Sequence, residues 1–227
     1  MKPKMAIAGM GEVGRALYNI LKDHYPIVTF DKEQNPVVDN TYVPQAPEQI
    51  EVLNVCFPYS DTFVKDVKQY QEELKPKYTV VHSTVPVGTS KKCNAIHSPI
   101  RGLHPNLESG IRTFVKFLGG HQASEVADYF RRAGLRVMLF DNPETTEASK
   151  LFDTEYYRAC IEFAHRVKRY CDKNNLNFSD VYRLPNITYN EGYTELGHSE
   201  YVRPVLEPIM KPIGGHCVQQ NSKLIDD

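Results

Sequence analysis

The feature that most constrains this chain is a six-residue segment near the N-terminus that contains three glycines. It joins an apolar stretch to an amphipathic one. Residues 5–8 (Met-Ala-Ile-Ala) predict a buried strand, and residues 9–14 (Gly-Met-Gly-Glu-Val-Gly) follow directly and open a predicted helix over 13–22. A glycine-rich turn between a buried strand and a helix is typical of dinucleotide-binding α/β sheets. The chain is therefore expected to begin with such a unit.

The same alternation of apolar runs and amphipathic stretches continues through the first half of the chain. Further strands are predicted at 26–30, 52–57, 78–82 and 136–140, with helices over about 60–74 and 123–133 between them. Short strands separated by helices favour a parallel sheet covered on both faces. We predict an α/β fold with a Rossmann-type parallel sheet as a first domain over residues 1–144.

The three glycines have different expected roles at a dinucleotide site. Gly9 allows the tight turn, Gly11 lets the backbone approach a pyrophosphate, and Gly14 lets helix and strand pack closely. Asp31 closes the next strand 22 residues after Gly9, where it would bind the adenosine ribose hydroxyls and repel a 2′-phosphate, which favours NAD over NADP. The alternative is a glycine turn that only packs helix on strand. The residues expected to bind NAD are Gly9, Met10, Gly11, Glu12, Val13, Gly14, Asp31, Phe57 and Pro58.

The second half of the chain has a different pattern. Residues 145–174 contain neither glycine nor proline and carry apolar residues at spacings of three and four, which predicts one long helix with Thr145 or Thr146 as its cap. A helix of this length with so much apolar surface needs a partner, so we expect a homodimer through helix 145–174. The tail over 186–211 is rich in Tyr, Pro, Asn and Gly and is expected to be mostly irregular. Residues 145–227 are therefore predicted as a second region, made of the long helix and an irregular C-terminal segment.

Composition narrows the function classes. The net charge is −1, so a general basic field for nucleic acid or membrane surfaces is not expected. No apolar run approaches the ~18–20 residues of a membrane span, and the N-terminus does not resemble a signal peptide, which favours the cytoplasm. The five cysteines are scattered without a CxxC pair, and the histidines are equally scattered, so neither a disulfide framework nor a metal site is expected.

Three further segments complete a family pattern. His82-Ser83-Thr84-Val85-Pro86-Val87-Gly88-Thr89 resembles the S-T-V-P-V-G-T segment of the UDP-glucose/GDP-mannose (nucleotide-sugar) 6-dehydrogenases. Ala148-Ser149-Lys150-Leu151 resembles the A-E-L-x-K segment at the start of their long central helix, and Gly214-Gly215-His216-Cys217 resembles their G-G-x-C motif. With the glycine fingerprint, these four motifs occur in the family order between residue 4 and about 220.

The resemblance implies a fold and a reaction. In this family an NAD-binding Rossmann domain precedes a dimerising helix, and a primary alcohol is oxidised twice to a carboxylate through a cysteine thiohemiacetal and thioester. The resemblance makes Cys217 the nucleophile and Lys150 the group that stabilises oxyanions. It makes Thr84 a residue that positions a water or hydroxyl group beside NAD. Thr154, one turn after Lys150, shares its helix face and is the fourth catalytic candidate.

The sequence departs from the family pattern at three acidic or amide positions. The catalytic glutamate of the family falls on Asn106, which leaves Glu108 as a displaced substitute; Thr154 stands for an asparagine and Asn221 for an aspartate. An amide cannot act as a general base, which bears on the hydrolytic half-reaction. The resemblance also implies a form truncated before the C-terminal nucleotide-sugar domain. The predicted substrate-binding residues are Asn106, Glu108, Lys150, Gly215 and Cys217, and the substrate is expected to be a small molecule.

Two alternatives stay open. The departures favour a catalytically degenerate NAD-binding protein that senses or scaffolds. The other is a simple two-electron dehydrogenase of the 6-phosphogluconate and hydroxyacid dehydrogenase group, in which Lys150 is the acid–base residue and Cys217 is incidental.

Overall fold

The computed structural model describes residues 3–31, 49–102, 104–208 and 224–225. The chain divides into two compact units, the first running to Lys150 and the second beginning at Leu151. The strands of the first unit are β1 (Lys4–Ala8), β2 (Ile27–Phe30), β3 (Ile50–Val55), β4 (Tyr78–Val81), β5 (Ile96–His97), β6 (Lys116–Gly119) and β7 (Val137–Phe140). Its helices are α1 (Glu12–Leu21), α2 (Phe63–Leu74), α3 (Thr89–Lys92), α4 (Leu107–Thr113), α5 (Ala123–Arg132) and the first turns of α6 (Pro143–Lys173).

The seven strands form one sheet in the order β2-β1-β3-β4-β5-β6-β7. All neighbouring strands are parallel except β5 and β6, which pair antiparallel at His97 and Gly119. Strand β1 lies between β2 and β3 and is buried at every residue, as expected for an apolar run with helices on both faces of the sheet. The α/β fold with a mostly parallel Rossmann-type sheet and a long following helix is confirmed.

Alternate residues of the strands feed two separate cores. Met5 and Ile7 face a core that includes residues of α1, α4 and α5, and Ala6 and Ala8 face a core that includes Phe63 and Val67 of α2. Elements β5, β6, α3 and α4 were not predicted. Strand β5 and helix α3 have only two and four residues, and β6 (Lys-Phe-Leu-Gly) has only two consecutive apolar residues.

The start of α6 corrects one sequence prediction. Neither Thr145 nor Thr146 caps the helix, because the helix begins two residues earlier at Pro143. Asn142 lies just before it, and its side-chain oxygen accepts hydrogen bonds from the backbone N–H (2.9 Å) and hydroxyl (2.7 Å) of Thr145. Proline is favoured in the first helical turn, where a backbone N–H has no partner to lose.

The second unit contains the rest of α6, a π-helical turn (Ser179–Arg183), helix α7 (Leu184–Glu195) and a short 3-10 turn (Ser199–Tyr201). The tail was expected to be irregular from 186, and α7 corrects this over its own length. No residue of α7 is buried and it lacks an apolar stripe, so the sequence gives no periodic signal. Instead, Asn190 joins α7 to the segment after the 3-10 turn. Its side-chain amide donates a 2.9 Å hydrogen bond to the Arg203 carbonyl and accepts one of 2.9 Å from the Arg203 N–H.

Residues 202–208 after the 3-10 turn form neither helix nor strand. Among the described residues, no helix is both long enough and apolar enough to span a bilayer.

Candidate functional site

A crevice for a ligand is expected where the strand order of a doubly wound sheet reverses. Here that point lies between β1 and β3, because the chain leaves β1 toward β2 and then returns past β1 to β3. The turn after β1 begins at Gly9 and the turn after β3 contains Phe57 and Pro58. The two turns touch, since a Cβ on Gly9 would lie 2.6 Å from the Phe57 backbone nitrogen.

The three glycines of the fingerprint have different surroundings. Gly9 has φ +94°, a conformation that favours glycine. A Cβ on Gly14 would lie 1.9 Å from the Gly9 carbonyl oxygen, so the close packing of α1 on the turn requires glycine there. A Cβ on Gly11 would have no heavy atom within 4 Å. The local structure of the chain therefore explains why glycine is required at positions 9 and 14. It does not explain the glycine at position 11, which faces open space at the start of α1.

The residues around this turn are fixed by polar contacts and by the core. Asp31, directly after β2, accepts a 3.0 Å hydrogen bond from the Met10 backbone N–H through one carboxylate oxygen. The Glu12 carboxylate, in the first turn of α1, pairs with the His104 ring. Val13 packs partly buried against the core. The first N–H groups of α1 have no partner inside the helix, which makes this end of the helix favourable for an anion.

The segment after β4 lies beside the same crevice. We call residues 83–88 the Thr84 segment. The Ser83 hydroxyl donates a 2.5 Å hydrogen bond to the Phe57 carbonyl, which joins this segment to the turn after β3. Thr84 itself is half-buried. The structure thus brings the glycine turn, Phe57, Asp31 and Thr84 to one edge of the sheet.

The other predicted site residues are less closely gathered. Lys150 is half-buried at the end of the first unit, and Thr154 belongs to the second unit. Asn106 is exposed at the N-terminus of α4, and Glu108 pairs with Arg112 one turn later at 3.0 Å. The Glu108 carboxylate is therefore engaged within its own helix. Gly215 and Cys217 lie outside the described residues.

Three buried polar residues near the Thr84 segment were missed by the sequence reasoning: His97, Thr146 and Glu147. All three side chains are fully buried. Burial raises the pKa of the Glu147 carboxyl, although backbone N–H groups bind it. Burial, together with the charges of Lys116 and Lys150, lowers the pKa of His97 to about 3. Lys150 is therefore close to this cluster. In the sequence, Thr146 and Glu147 directly precede the motif that begins at Ala148. A Thr-Glu pair is also common in the solvated first turn of a helix, so only the burial of these side chains reveals their role.

A second group of buried polar side chains lies on the face of the sheet that α5 covers. The His82 ring contacts the Asn54 side-chain oxygen (3.0 Å) through Nε2, and through Nδ1 the Ser98 carbonyl (3.0 Å) and the Lys116 ammonium nitrogen (3.3 Å). The Lys116 nitrogen also lies 4.9 Å from the centre of the Phe130 ring. Burial lowers the pKa of Lys116 to about 7. Burial and the Lys116 charge hold the pKa of His82 well below its usual value.

Substitution Lys116→Met is expected to stabilise the protein at pH 6–7. The unfolded chain keeps the lysine proton up to about pH 10.4, whereas the folded chain releases it near pH 7. Since the unfolded state binds more protons between these values, stability rises with pH across this window and is lowest below it. Removing the group should add about 2–4 kcal/mol to the free energy of unfolding at pH 6. Urea denaturation from pH 6 to 10 measures this.

The pH dependence provides the control for this prediction. Between pH 7 and 10, the free energy of unfolding should change less with pH in Lys116→Met than in the wild type. Lys65→Met, at an exposed position of α2, should leave both the stability and its pH dependence unchanged. Parallel curves for wild type and Lys116→Met would show that Lys116 stays charged in the folded protein.

Comparison with known proteins places the fold among dehydrogenases. No protein-family model matches the sequence, and no curated protein sequence matches it. Among solved structures, UDP-D-ManNAc dehydrogenase from Pyrococcus horikoshii matches 98% of this chain and 63% of its own chain, with a TM-score of 0.72 and 16% identity. NDP-N-acetyl-D-galactosaminuronic acid dehydrogenase from Methanosarcina mazei Go1 matches 98% of this chain and 59% of its own, with a TM-score of 0.70 and 15% identity.

A shorter enzyme shares part of the fold. The 3-hydroxyisobutyrate dehydrogenase of Mycobacterium tuberculosis matches 78% of this chain and 67% of its own, with a TM-score of 0.58 and 13% identity. The present chain spans about three fifths of the two sugar-nucleotide dehydrogenases. At these identities the similarity establishes the fold that this chain has in common with them.

Proposed function

We propose that this chain is an NAD-dependent oxidoreductase resembling the nucleotide-sugar 6-dehydrogenases, which oxidises an alcohol through a thiohemiacetal on Cys217. The observation that carries the proposal is the arrangement at the reversal of strand order, where Asp31 contacts the glycine turn and the turn after β3, at Phe57, lies against both the glycine turn and the Thr84 segment. The similar structures from Pyrococcus horikoshii and Methanosarcina mazei are both sugar-nucleotide dehydrogenases, which supports the substrate class.

The residues at the crevice fit NAD. Gly11 faces open space at the helix N-terminus, so a pyrophosphate could approach the backbone there. Asp31 lies directly after β2 beside the glycine turn and contacts the Met10 N–H, the position from which an acidic side chain binds ribose hydroxyls in dinucleotide sites. The ligand would extend from Asp31, across the glycine turn and Phe57 and Pro58, toward Thr84, because dinucleotides lie across the carboxyl ends of the strands. NAD would supply a hydride acceptor at the Thr84 end.

The chain's own groups have separate roles in the proposed reaction. Lys150 would donate hydrogen bonds to the substrate oxygen as negative charge develops on it. Thr84 and Thr154 would orient a hydroxyl group or water. The Cys217 thiolate would add to the aldehyde carbon, and the resulting thiohemiacetal would lose a hydride to a second NAD and become a thioester. Water would then hydrolyse the thioester, which releases the carboxylate and regenerates the thiol. Asn106 and Glu108 would contact the substrate, and Gly215 would let it approach Cys217.

A simple two-electron dehydrogenase is the second candidate. The fold shared with 3-hydroxyisobutyrate dehydrogenase favours it. The pairing of Glu108 with Arg112 also favours it, because Glu108 is the acidic residue that was assigned to the hydrolytic step. In this case Lys150 would be the acid–base residue and the product would stay at the aldehyde or ketone level. A degenerate NAD-binding protein would bind the cofactor and oxidise nothing.

The test is NADH production with a panel of nucleotide sugars, sugar phosphates and simple alcohols. The proposal expects activity with a nucleotide sugar and two NADH formed for each alcohol consumed. One NADH for each alcohol supports the simple dehydrogenase. Binding of NADH without turnover on any member supports the degenerate protein, and the absence of NADH binding contradicts all three.

A homodimer through the long helix is also part of the proposal. Phe152, Tyr156, Phe163 and Tyr170 recur at spacings of four and seven residues on α6, and their side chains are 47–64% exposed. Residues Ile161, Ala164 and Cys171, on another face of the helix, are buried. Beside the stripe, Arg158 is paired within the helix with Glu155 and Glu162, and the Arg166 guanidinium lies over the Phe163 ring at 4.9 Å. A second copy would cover this stripe.

The double substitution Phe152→Glu/Tyr156→Glu is expected to convert a dimer into a monomer. Two buried carboxylates at a symmetric interface are each repeated in the partner and cost several kcal/mol together. Sedimentation velocity at 1–50 µM, taken as roughly the range in which obligate dimers persist, measures the change. The control Leu196→Glu, at a 71% exposed residue outside α6, should remain dimeric. A wild-type monomer across this range contradicts the proposal.

A further inference from the structure

The first turn of α6 carries two fully buried polar side chains, Thr146 and Glu147. Glu147 contacts the segment around Thr84 directly, and Thr146 reaches it through His97. We propose that Glu147 is a positioning residue, which holds the Thr84 segment in place for the nicotinamide end of the cofactor. The inference rests on the proposed function, because it needs a dinucleotide that extends to Thr84. Glu147 touches neither cofactor nor substrate in this role.

Glu147 fixes the C-terminal end of the segment with both oxygens. One carboxylate oxygen accepts a 2.6 Å hydrogen bond from the Gly88 N–H, and the other accepts a 2.7 Å hydrogen bond from the Ser90 N–H. Hydrogen bonds to an ionised carboxylate are shorter and stronger than those between neutral groups. The Glu147 carboxylate is also excluded from water, which strengthens its hydrogen bonds further. Gly88, with φ +87°, can present its N–H in this direction at no steric cost.

His97 and Thr146 fix the other end of the segment. The His97 Nε2 lies 3.2 Å from the Ser83 carbonyl oxygen, and its Nδ1 lies 2.9 Å from the Thr146 hydroxyl. A carbonyl oxygen can only accept, so the proton of neutral His97 is on Nε2 and Nδ1 is an acceptor. The Thr146 hydroxyl lies between this acceptor and a second one, the Pro143 carbonyl oxygen at 2.9 Å. Consecutive residues of α6 therefore hold Ser83 at one end and Gly88 at the other.

The consequence is that Thr84 and Lys150 share one rigid support. Lys150 follows Glu147 by three residues on the same helix, which places both on one helix face. Thr84 lies between the two points that Thr146 and Glu147 hold. A loss of the Glu147 carboxylate would release the segment from the helix that carries Lys150, and the fingerprint at the other end of the crevice would be unaffected.

The test compares Glu147→Gln with the wild type using two probes, NADH and ADP-ribose, which lacks the nicotinamide. Glutamine has nearly the same shape, but its NH2 group would face one of the two N–H donors. We expect the Gly88 and Ser90 amides to exchange at least about tenfold faster with solvent. NADH affinity should fall about tenfold and the fluorescence of the bound nicotinamide should change, with ADP-ribose affinity within about twofold of wild type.

The control is Glu144→Gln. Glu144 lies in the same turn of α6 and also reaches α3, but it pairs with the exposed Lys91 side chain at 3.1 Å. It should change neither probe's affinity nor the two exchange rates. If Glu147→Gln does not fold, Thr146→Val removes the hydroxyl beside His97 and keeps the carboxylate, and it should weaken NADH alone in the same way.

Several results would overturn the inference. Fast exchange of the Gly88 and Ser90 amides in the wild type would show that no such hold exists. Unchanged NADH affinity and fluorescence in Glu147→Gln would remove the positioning role, and equal weakening of both probes would indicate a general loss of structure. A wild-type protein that binds neither probe contradicts the proposed function itself, and the positioning role fails with it.

Discussion

Substitution Gly11→Ala should abolish NAD binding while leaving the protein as stable as the wild type, whereas Gly14→Ala should lose both. An alanine Cβ at Gly11 meets no atom of the chain within 4 Å, and the backbone there (φ −67°, ψ −163°) suits any residue. The methyl group would instead occupy the space that the pyrophosphate needs. We expect NAD affinity to fall at least about 100-fold, or ~2.7 kcal/mol.

Gly14→Ala acts through the fold. Its Cβ would lie 1.9 Å from the Gly9 carbonyl oxygen, a backbone atom that cannot move unless the turn moves. The free energy of unfolding should fall by about 3 kcal/mol or more. Calorimetric titration with NAD and urea denaturation separate the two effects. Wild-type NAD affinity in Gly11→Ala would favour the alternative in which the glycine turn only packs helix on strand.

Substitution Cys217→Ala should stop the second oxidation and change the stoichiometry of the reaction. In the proposed reaction, the first oxidation would take an alcohol to an aldehyde and transfer a hydride to NAD. The thiol would then add to the aldehyde, the thiohemiacetal would lose a hydride to a second NAD to give a thioester, and water would release the carboxylate. Without the thiol, no thiohemiacetal forms, so carboxylate production should fall at least about 1000-fold.

Two other cysteines cannot easily replace Cys217. Burial raises the pKa of Cys56 to about 12 and that of Cys93 to about 11, so both remain thiols at neutral pH and are poor nucleophiles. The control is Cys160→Ala, at a half-buried position of α6, which should keep two NADH for each alcohol. Full carboxylate production by Cys217→Ala, with NAD affinity intact, would remove the thiol mechanism and favour the simple dehydrogenase.

Local signals were sufficient for the first part of the fold. Strands β1 to β4 and β7 were predicted near their observed positions because each is a run of mostly apolar residues, and α1, α2 and α5 because each is long enough to show its period. Strand β6 was missed because its four residues (Lys-Phe-Leu-Gly) include only two consecutive apolar ones, and its antiparallel pairing is with β5, which is shorter still. Helix α7 was missed because it buries no residue.

The candidate site divides in the same way. The glycine turn, Asp31 and Thr84 each follow a recognisable strand, so their meeting at one edge follows from the parallel arrangement. The roles of His97, Thr146 and Glu147 do not follow from any local pattern. Each sits in a sequence context typical of a solvated turn or an ordinary strand, and each has a hydrogen-bond partner at least 14 residues away in the chain.

The sequence by itself determined the strand–glycine–helix unit, the parallel sheet and the long helix, because these depend on side-chain periodicity and on the conformational freedom of particular glycines. Only the tertiary structure decided which polar residues are buried. Glu147 and Lys116 are ordinary charged residues in the sequence, and both become buried groups with shifted pKa values once helix and sheet pack around them. Burial is a property of packing between distant segments, and the cost of burying a charge makes the partners of each group essential.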